Sequence, residues 1–372
     1  MRIAILGSKG VPGRHGVEVV VDNIASRLVT QGHDVSIFGY STYFGKMQEY
    51  KGCKLVPIEG NSNKFLEMPT HAIKTRKVIL SEYQDKFDVV HIHSTDPCLF
   101  LKAVKKKVPV VATSHGRAYL RNEVDPIRKL LSKTAEKAFL KAGHASTGVS
   151  PVDVDYYNSL GIASAGRVKY IPNGLPSIPM DIPLPESLGL TSGKYILFSA
   201  GRIIPSKGLH VLQEAMAKTE TDLPLAIVGG KGFDEDYYKQ VKNTFPNRCK
   251  WLGFLRDNEL YGVYKHAKIA VFPSLYEAQS MTLLEFLALG VNIVYSDLPE
   301  NQAITGSIGL PFKSANPDSL HQALMHALNG DCPNDSTARN RIVQHHNWEK
   351  ITEQYIEAYN QAILLSRKYL NY

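Results

Sequence analysis

The chain has 372 residues, 44% hydrophobic and 21% charged, more than one core serves, and no apolar run reaches membrane-spanning length; two globular domains are expected. Four scattered cysteines, Cys53, Cys98, Cys249 and Cys332, show no CxxC or metal-ligand spacing, and Met1-Arg2 leads straight into a strand; these features argue against a disulfide framework, a zinc module or a signal peptide, and for a reduced, cytoplasmic chain. The net charge of +8 is uneven: residues 1–175 hold 25 Lys/Arg against 15 Asp/Glu, residues 176–372 hold 18 against 20, so the basic half calls for a polyanionic neighbour such as nucleic acid, an anionic membrane face or phosphates.

In chain order, "RIAILG", "DVSIFGY", "KLVPIE", "VVHIHS", "VPVVATSHG", "ASTGVS" and "VKYIPNG" read as strands, mostly continuously apolar as in a parallel sheet covered on both faces. Helical patterns at 17–31, 126–142 and 151–160 lie between them. A proline-rich linker follows at 174–186. A second series, "YILFSAGR", "PLAIVGG", "CKWLGF", "IAVFPS", "NIVYSD" and "IGLPF", again alternates with helices. The expectation is an α/β chain: a Rossmann-like domain over 1–173, a second over 187–345, the two facing each other across a cleft, and an amphipathic helix over 346–372 crossing back to the first.

After the first strand Gly7, Gly10 and Gly13 stand three apart, which is not GxGxxG, and no Walker motif occurs; a dehydrogenase or a P-loop enzyme loses its main support. In the second half, "SAGRIIPSKGL" sets Gly201, Arg202 and Lys207 at the end of that domain's first strand, where an open sheet binds ligands, and two cations suit a diphosphate. "CKWLGFL" places Gly253 and Phe254 at a strand end that could meet a nucleobase. "EAQSM" opens a helix whose first N–H groups, at Ser280, Met281 and Thr282, suit a phosphate. Glu277 and Glu285, eight positions apart, are the only charges in "PSLYEAQSMTLLEFLALG". Glu285, among leucines and a phenylalanine, reads as a half-buried carboxylate in need of a partner; two acceptor oxygens fit a ribose diol. Glu277 is left to hold something beyond the phosphates.

In the first half, "GVPGRHGVE" is a glycine-rich loop before a helix, able to approach an anion, and "SHGR" sets His115, Gly116 and Arg117 at a strand end facing the cleft. His91 and His93 share one strand face without a carboxylate at metal-like spacing, and "DED" at 234–236 reads as a helix start, so no metal site is expected. Lys129, Lys133, Lys137 and Lys141 repeat every four residues beside Arg128, with Leu130, Leu131, Phe139 and Leu140 on other faces. This reads either as a solvated face or as a basic stripe for an anionic membrane surface. It carries no interleaved aromatics, which argues against nucleic acid.

Taken in order, "GSKGVPGRHGVE", "VTQGHDVSIF", "YIPNG", "GRIIPSKGL", "WLGFL" and "FPSLYEAQSMTLLEFLALG" resemble the signature blocks of glycosyltransferase family 4, near the subgroup labelled rhamnosyltransferases. The resemblance implies a GT-B fold and a retaining, metal-independent transferase with no cofactor beyond its donor, a nucleotide-diphosphate sugar, UDP-sugar favoured. It implies that Arg202 and Lys207 grip the diphosphate, that Glu285 binds the ribose, and that Glu277 binds the donor sugar. His115 would stand beside that sugar and Gly16 in the loop touching phosphate and acceptor. Two departures stand out. "RHGVE" has one glycine where the family has a pair, and Ala-Gln-Ser-Met follows Glu277 where the family commonly has Gly-Phe-Gly, so the donor's identity is not borrowed.

The expected function is transfer of a hexose to a hydroxyl of a glycan or lipid-linked acceptor in cell-surface polysaccharide synthesis, in the cytoplasm or at the membrane's inner face. The alternatives are a nucleotide-sugar 2-epimerase of the same fold and a non-catalytic subunit that binds sugar nucleotides.

Overall fold

The structure, a computed structural model, describes residues 1–13, 16–63, 65–83, 86–121, 124–163, 166–179, 181–232, 234–244 and 248–370. The chain divides into two units, each built on its own sheet. The first holds Met1–Leu120, Val124–Gly174 and the chain from Asn347 on; the second holds Leu175–His346 together with Arg121.

The first unit's sheet has eight strands: β1 (Arg2–Leu6), β2 (Asp34–Tyr40), β3 (Glu49–Tyr50), β4 (Cys53–Ile58), β5 (Val89–His93), β6 (Val110–Ser114), β7 (Ala145–Gly148) and β8 (Lys169–Tyr170). Their order is β3-β4-β2-β1-β5-β6-β7-β8, parallel except for β3, which runs antiparallel to β4. Helices cover both faces, so β5 is buried along its whole length, His91 and His93 included. That double covering is why these strands read as unbroken apolar runs rather than alternating ones. The last is shorter than "VKYIPNG" suggests; Pro172 has no N–H to extend the ladder. β3 and the helix Glu67–Glu82 carry patterns too weak to read from the sequence.

The second sheet comprises β9 (Ile196–Ile203), β10 (Leu225–Lys231), β11 (Cys249–Gly253), β12 (Ile269–Phe272), β13 (Ile293–Ser296) and β14 (Leu310–Phe312), all parallel. The order β11-β10-β9-β12-β13-β14 is the doubly wound Rossmann arrangement, whose direction reverses between β9 and β12. β9 runs past its expected end at Arg202: after a register shift, Gly230 pairs with Arg202 and Lys231 with Ile203.

The helix Trp348–Leu370 belongs to the first unit. Trp348, Ile351, Tyr355, Tyr359 and Ala362 recur at helical spacing and are all essentially inaccessible. Tyr359 Oη lies 2.9 Å from His91 Nδ1, and Trp348 packs against Gly174, where a Cβ would come within 2.3 Å of the indole. Among the described residues no helix is long and apolar enough to cross a membrane.

Candidate active site

The strands flanking the switch point of the second sheet send out two loops that are fastened together. After β9 the chain makes a short 3-10 turn, Pro205–Lys207, and Gly208 starts the helix Leu209–Lys218 with φ +69°. A Cβ on Gly208 would stand 1.9 Å from the Pro273 carbonyl oxygen, so only glycine allows the loop after β9 to press against the loop after β12. Leu275 N–H donates to the Ser206 carbonyl at 2.8 Å. The contact brings Lys207 to Glu277: Nζ donates to Oε1 at 2.5 Å, with side chains 26% and 10% exposed. From the sequence, these residues have separate tasks, with Lys207 at a strand end. Instead Lys207 ends the turn and is ion-paired to the carboxylate. The signal was available in principle, because loops after strands one and four of this topology are neighbours.

The helix Met281–Leu289 begins just beyond. Ser280 is its N-cap, Oγ accepting from Leu283 N–H at 3.2 Å, so that side chain is engaged in capping. Met281 and Thr282 contribute the first helical N–H groups, which have no carbonyl four residues back inside the helix. Leu283, Leu284, Phe286 and Leu287 are fully buried around Glu285. Glu285 as a residue is half-buried, yet burial of its carboxyl pushes the pKa up to about 8. The neighbouring hydroxyls of Tyr261 and Tyr264 are raised as well, first by burial and then by the Glu285 charge.

This carboxyl makes stability depend on pH. A pKa raised on folding contributes stability that is complete below the unfolded value and is lost as pH climbs through about 8. Glu285→Gln has nothing to titrate. Its melting temperature relative to wild type should therefore rise from pH 5 to pH 8 and level off above. Thermal unfolding across that range measures it; a flat difference would mean the carboxyl is well solvated.

The remaining predicted residues of the second unit lie at the carboxyl ends of adjacent strands. Gly201 and Arg202 are exposed at the end of β9. Gly253 closes β11 at φ +71°, and Phe254 is 45% exposed beneath the Arg256 guanidinium, 5.1 Å from the ring centroid. The Phe254 ring also borders Gly230 of β10: a Cβ there would lie 3.6 Å from it.

In the first unit His115 follows β6. Its Nε2 lies 2.9 Å from His93 Nδ1, and His93 in turn packs on His91, whose nitrogens meet Tyr359 and Thr113 hydroxyls. Burial lowers His115 to about 4 and His91 to about 3, so the row is neutral at physiological pH. Arg117, just beyond the same strand end, pairs with the buried Asp153 at 2.6 Å and lies over the Tyr156 ring. Gly16 begins the helix Gly16–Thr30, exposed, with open space where a Cβ would stand. Arg14 and His15 of the same glycine-rich loop lie outside the described residues. The sequence reading missed Glu18, which is buried with Oε1 accepting from Lys9 N–H at 3.3 Å. It also missed a cavity of about 250 Å³ at the carboxyl ends of β1, β2 and β5, lined among others by Ser8, Glu18, Tyr40, His71 and Ser94. Ser8 Oγ and His71 Nε2 are buried there without a protein hydrogen-bond partner. These residues come from chain segments too far apart to be joined by spacing.

Two Rossmann-like units are the architecture of the GT-B fold, and the matches to known proteins make the chain a glycosyltransferase. Residues 14–177 match the family described as Glycosyltransferase Family 4, and residues 182–346 match Glycosyl transferases group 1. The chain belongs to the family 4 glycosyltransferases. It is 25% identical to the UDP-Gal:alpha-D-GlcNAc-diphosphoundecaprenol alpha-1,3-galactosyltransferase of Escherichia coli over 77% of this chain and 80% of that one. It is 26% identical to O-antigen chain mannosyltransferase B of Escherichia coli; there the match spans 50% of this chain and about half, 51%, of the relative. Among solved structures, Alr3699/HepE of Anabaena, in complex with UDP and glucose, superposes with a TM-score of 0.76 at 18% identity, covering 96% of this chain and 98% of that one.

Proposed function

We propose that the chain moves a hexosyl group from a nucleotide-diphosphate sugar, a UDP-sugar first among candidates, to a hydroxyl of a glycan or lipid-linked acceptor, with retention of configuration. The observation that carries this reading is the Lys207–Glu277 pair at the switch point, one loop away from a helix N-terminus and from Glu285. Arg202, Lys207 and the N–H groups of Met281 and Thr282 face the diphosphate and stabilise the negative charge that grows on it as the glycosidic bond breaks. Glu285 accepts from the ribose hydroxyls and Glu277 from the donor sugar, while Lys207 fixes the Glu277 carboxylate. Gly201, Gly253 and Phe254 border the base, and Ser280 holds the phosphate-binding helix end in shape. The acceptor hydroxyl attacks from the face the leaving group departs, and the departing phosphate takes its proton. His115, neutral, offers hydrogen bonds to the sugar. Gly16 leaves room at its loop, and the cavity beside Ser8 and His71 takes the acceptor. The relative that uses UDP-Gal and a diphosphoundecaprenol-linked acceptor, and the neighbour that binds UDP and glucose, support this reading.

Side chains here do the work that a divalent cation would otherwise do at a diphosphate, so turnover should survive EDTA. The test is a donor panel read first by thermal shift and then by release of nucleotide diphosphate, with EDTA present throughout. A UDP-sugar should raise the melting temperature by a few degrees at saturation. Loss of turnover in EDTA with rescue by magnesium or manganese would overturn the metal-free mechanism. A panel with no stabilising sugar nucleotide would overturn the function.

A further inference from the structure

We infer that the first turns of the helix Pro126–Ala142, together with Phe65 and Leu66, form a wedge that enters an anionic phospholipid surface. This goes beyond the proposed transfer reaction and does not depend on it. Among the described residues six large hydrophobic side chains are more than half exposed, and five of them gather here: Ile127 at 74%, Phe65 at 69%, Leu130 at 68%, Leu131 at 55% and Leu66 at 52%. Scattered exposed leucines are ordinary, but a cluster of this kind marks a contact surface. Arg128 ties its two parts together, its guanidinium 4.6 Å from the Phe65 ring centroid.

The structure also changes what the lysine repeat means. The face of this helix turned to the core is made of Ser132, Ala135, Glu136, Ala138, Phe139, Leu140 and Ala142, with the Glu136 carboxylate accepting from Tyr119 and Tyr156 hydroxyls. Leu130 and Leu131 are therefore not on faces apart from the lysines, as the sequence suggested. They share the outer face with the exposed Lys133, Lys137 and Lys141, whereas Lys129 is only partly exposed on its flank. At 100° per residue, Ile127, Leu130 and Leu131 lead this face and the three lysines continue it toward the C-terminus. Lys105 Nζ donates to the Gly143 carbonyl at 2.7 Å, which brings the exposed Lys102, Lys106 and Lys107 to the same end. Asp125, the acid at the other end, is occupied as the N-cap and as partner of Arg128.

Apolar side chains at one end and, among the described residues, lysines without an acidic partner along the rest match a lipid interface, with acyl boundary first and phosphate level next. A second copy of this face brings no negative charge to it, so the lysines would stay unmatched.

The test is co-sedimentation of the full chain with phosphatidylglycerol-containing and pure phosphatidylcholine vesicles at low and high salt. Wild type should partition at least about tenfold better onto anionic vesicles, and salt should weaken it. Ile127→Ser/Leu130→Ser/Leu131→Ser should lose about tenfold or more while keeping the salt dependence. Lys133→Gln/Lys137→Gln/Lys141→Gln should lose up to about a hundredfold, and the salt dependence with it. Leu130→Trp, in an otherwise unchanged chain, should shift its emission to the blue on anionic vesicles and be quenched by brominated acyl chains. Equal recovery with both vesicle types, a serine variant that binds like wild type, or an unshifted emission from the Leu130→Trp variant would each overturn the inference. So would a vesicle-free dimer that the serine variant dissolves.

Discussion

Lys207→Ala should lower turnover by about 10²–10³-fold, the usual cost of removing one preorganised donor to a developing anion. The fold should survive. Lys207 is 26% exposed, so stranding Glu277 costs about 1–2 kcal/mol, between a surface and a buried pair. Because the two side chains are bonded, the single variant removes a cation and also leaves a bare carboxylate beside the proposed diphosphate. The double variant Lys207→Ala/Glu277→Gln separates these effects: it should regain the stability but not the turnover. Arg202→Ala, which alters an exposed strand-end residue, should also cost turnover while leaving the melting temperature nearly unchanged. Steady-state kinetics and thermal unfolding of the four proteins are the measurement. Near-wild-type rates in both alanine single variants would remove the diphosphate clamp.

The second large effect divides the donor between the two glutamates. Above pH 8, where its carboxyl is ionised, Glu285→Gln should weaken free nucleotide diphosphate and nucleotide sugar alike, by tenfold or more, since a hydrogen bond to a charged acceptor is worth about 1.5–3 kcal/mol. Wild-type affinity should rise with pH as the Glu285 carboxyl loses its proton near 8, and the glutamine variant should lack that rise. Glu277→Gln should not weaken free nucleotide diphosphate, because it releases Lys207 from its ion pair, yet it should lower turnover and blur discrimination among donor sugars. Calorimetry with both ligands across pH 6 to 9 decides the matter. If Glu277→Gln damages free-nucleotide binding as much as Glu285→Gln does, the carboxylates do not share the donor in this way.

The legible parts of this chain are those fixed by local physics. Unbroken apolar runs such as "VVHIHS" read as strands because both sheet faces are covered. The 126–142 pattern marks a helix because its propensity and its Asp125-Pro126 start agree. Glu285 reads as half-buried because its flanking leucines leave it no other place, and the structure agrees. What stayed hidden depends on distant residues meeting. Lys207 and Glu277 lie 70 positions apart and are joined only by the strand order and by Gly208. The first-unit cavity needs five separate segments. For the basic helix, periodicity alone assigned Leu130 and Leu131 to faces other than the lysine stripe, whereas the Glu136 hydrogen bonds to Tyr119 and Tyr156 accompany a different buried face.

The seating of the last helix on the first sheet bears on how the chain is made. His91, in the middle of that sheet, finds its hydroxyl partner Tyr359 only 268 residues later, and Trp348 closes over Gly174 from the same late helix. During synthesis the first unit therefore emerges with an unfinished core and must wait, while Leu175–His346 is continuous and can close as soon as it leaves the ribosome. The half translated second is the half that can mature first. Until the final helix arrives, the incomplete sheet offers the apolar surface on which holding chaperones act.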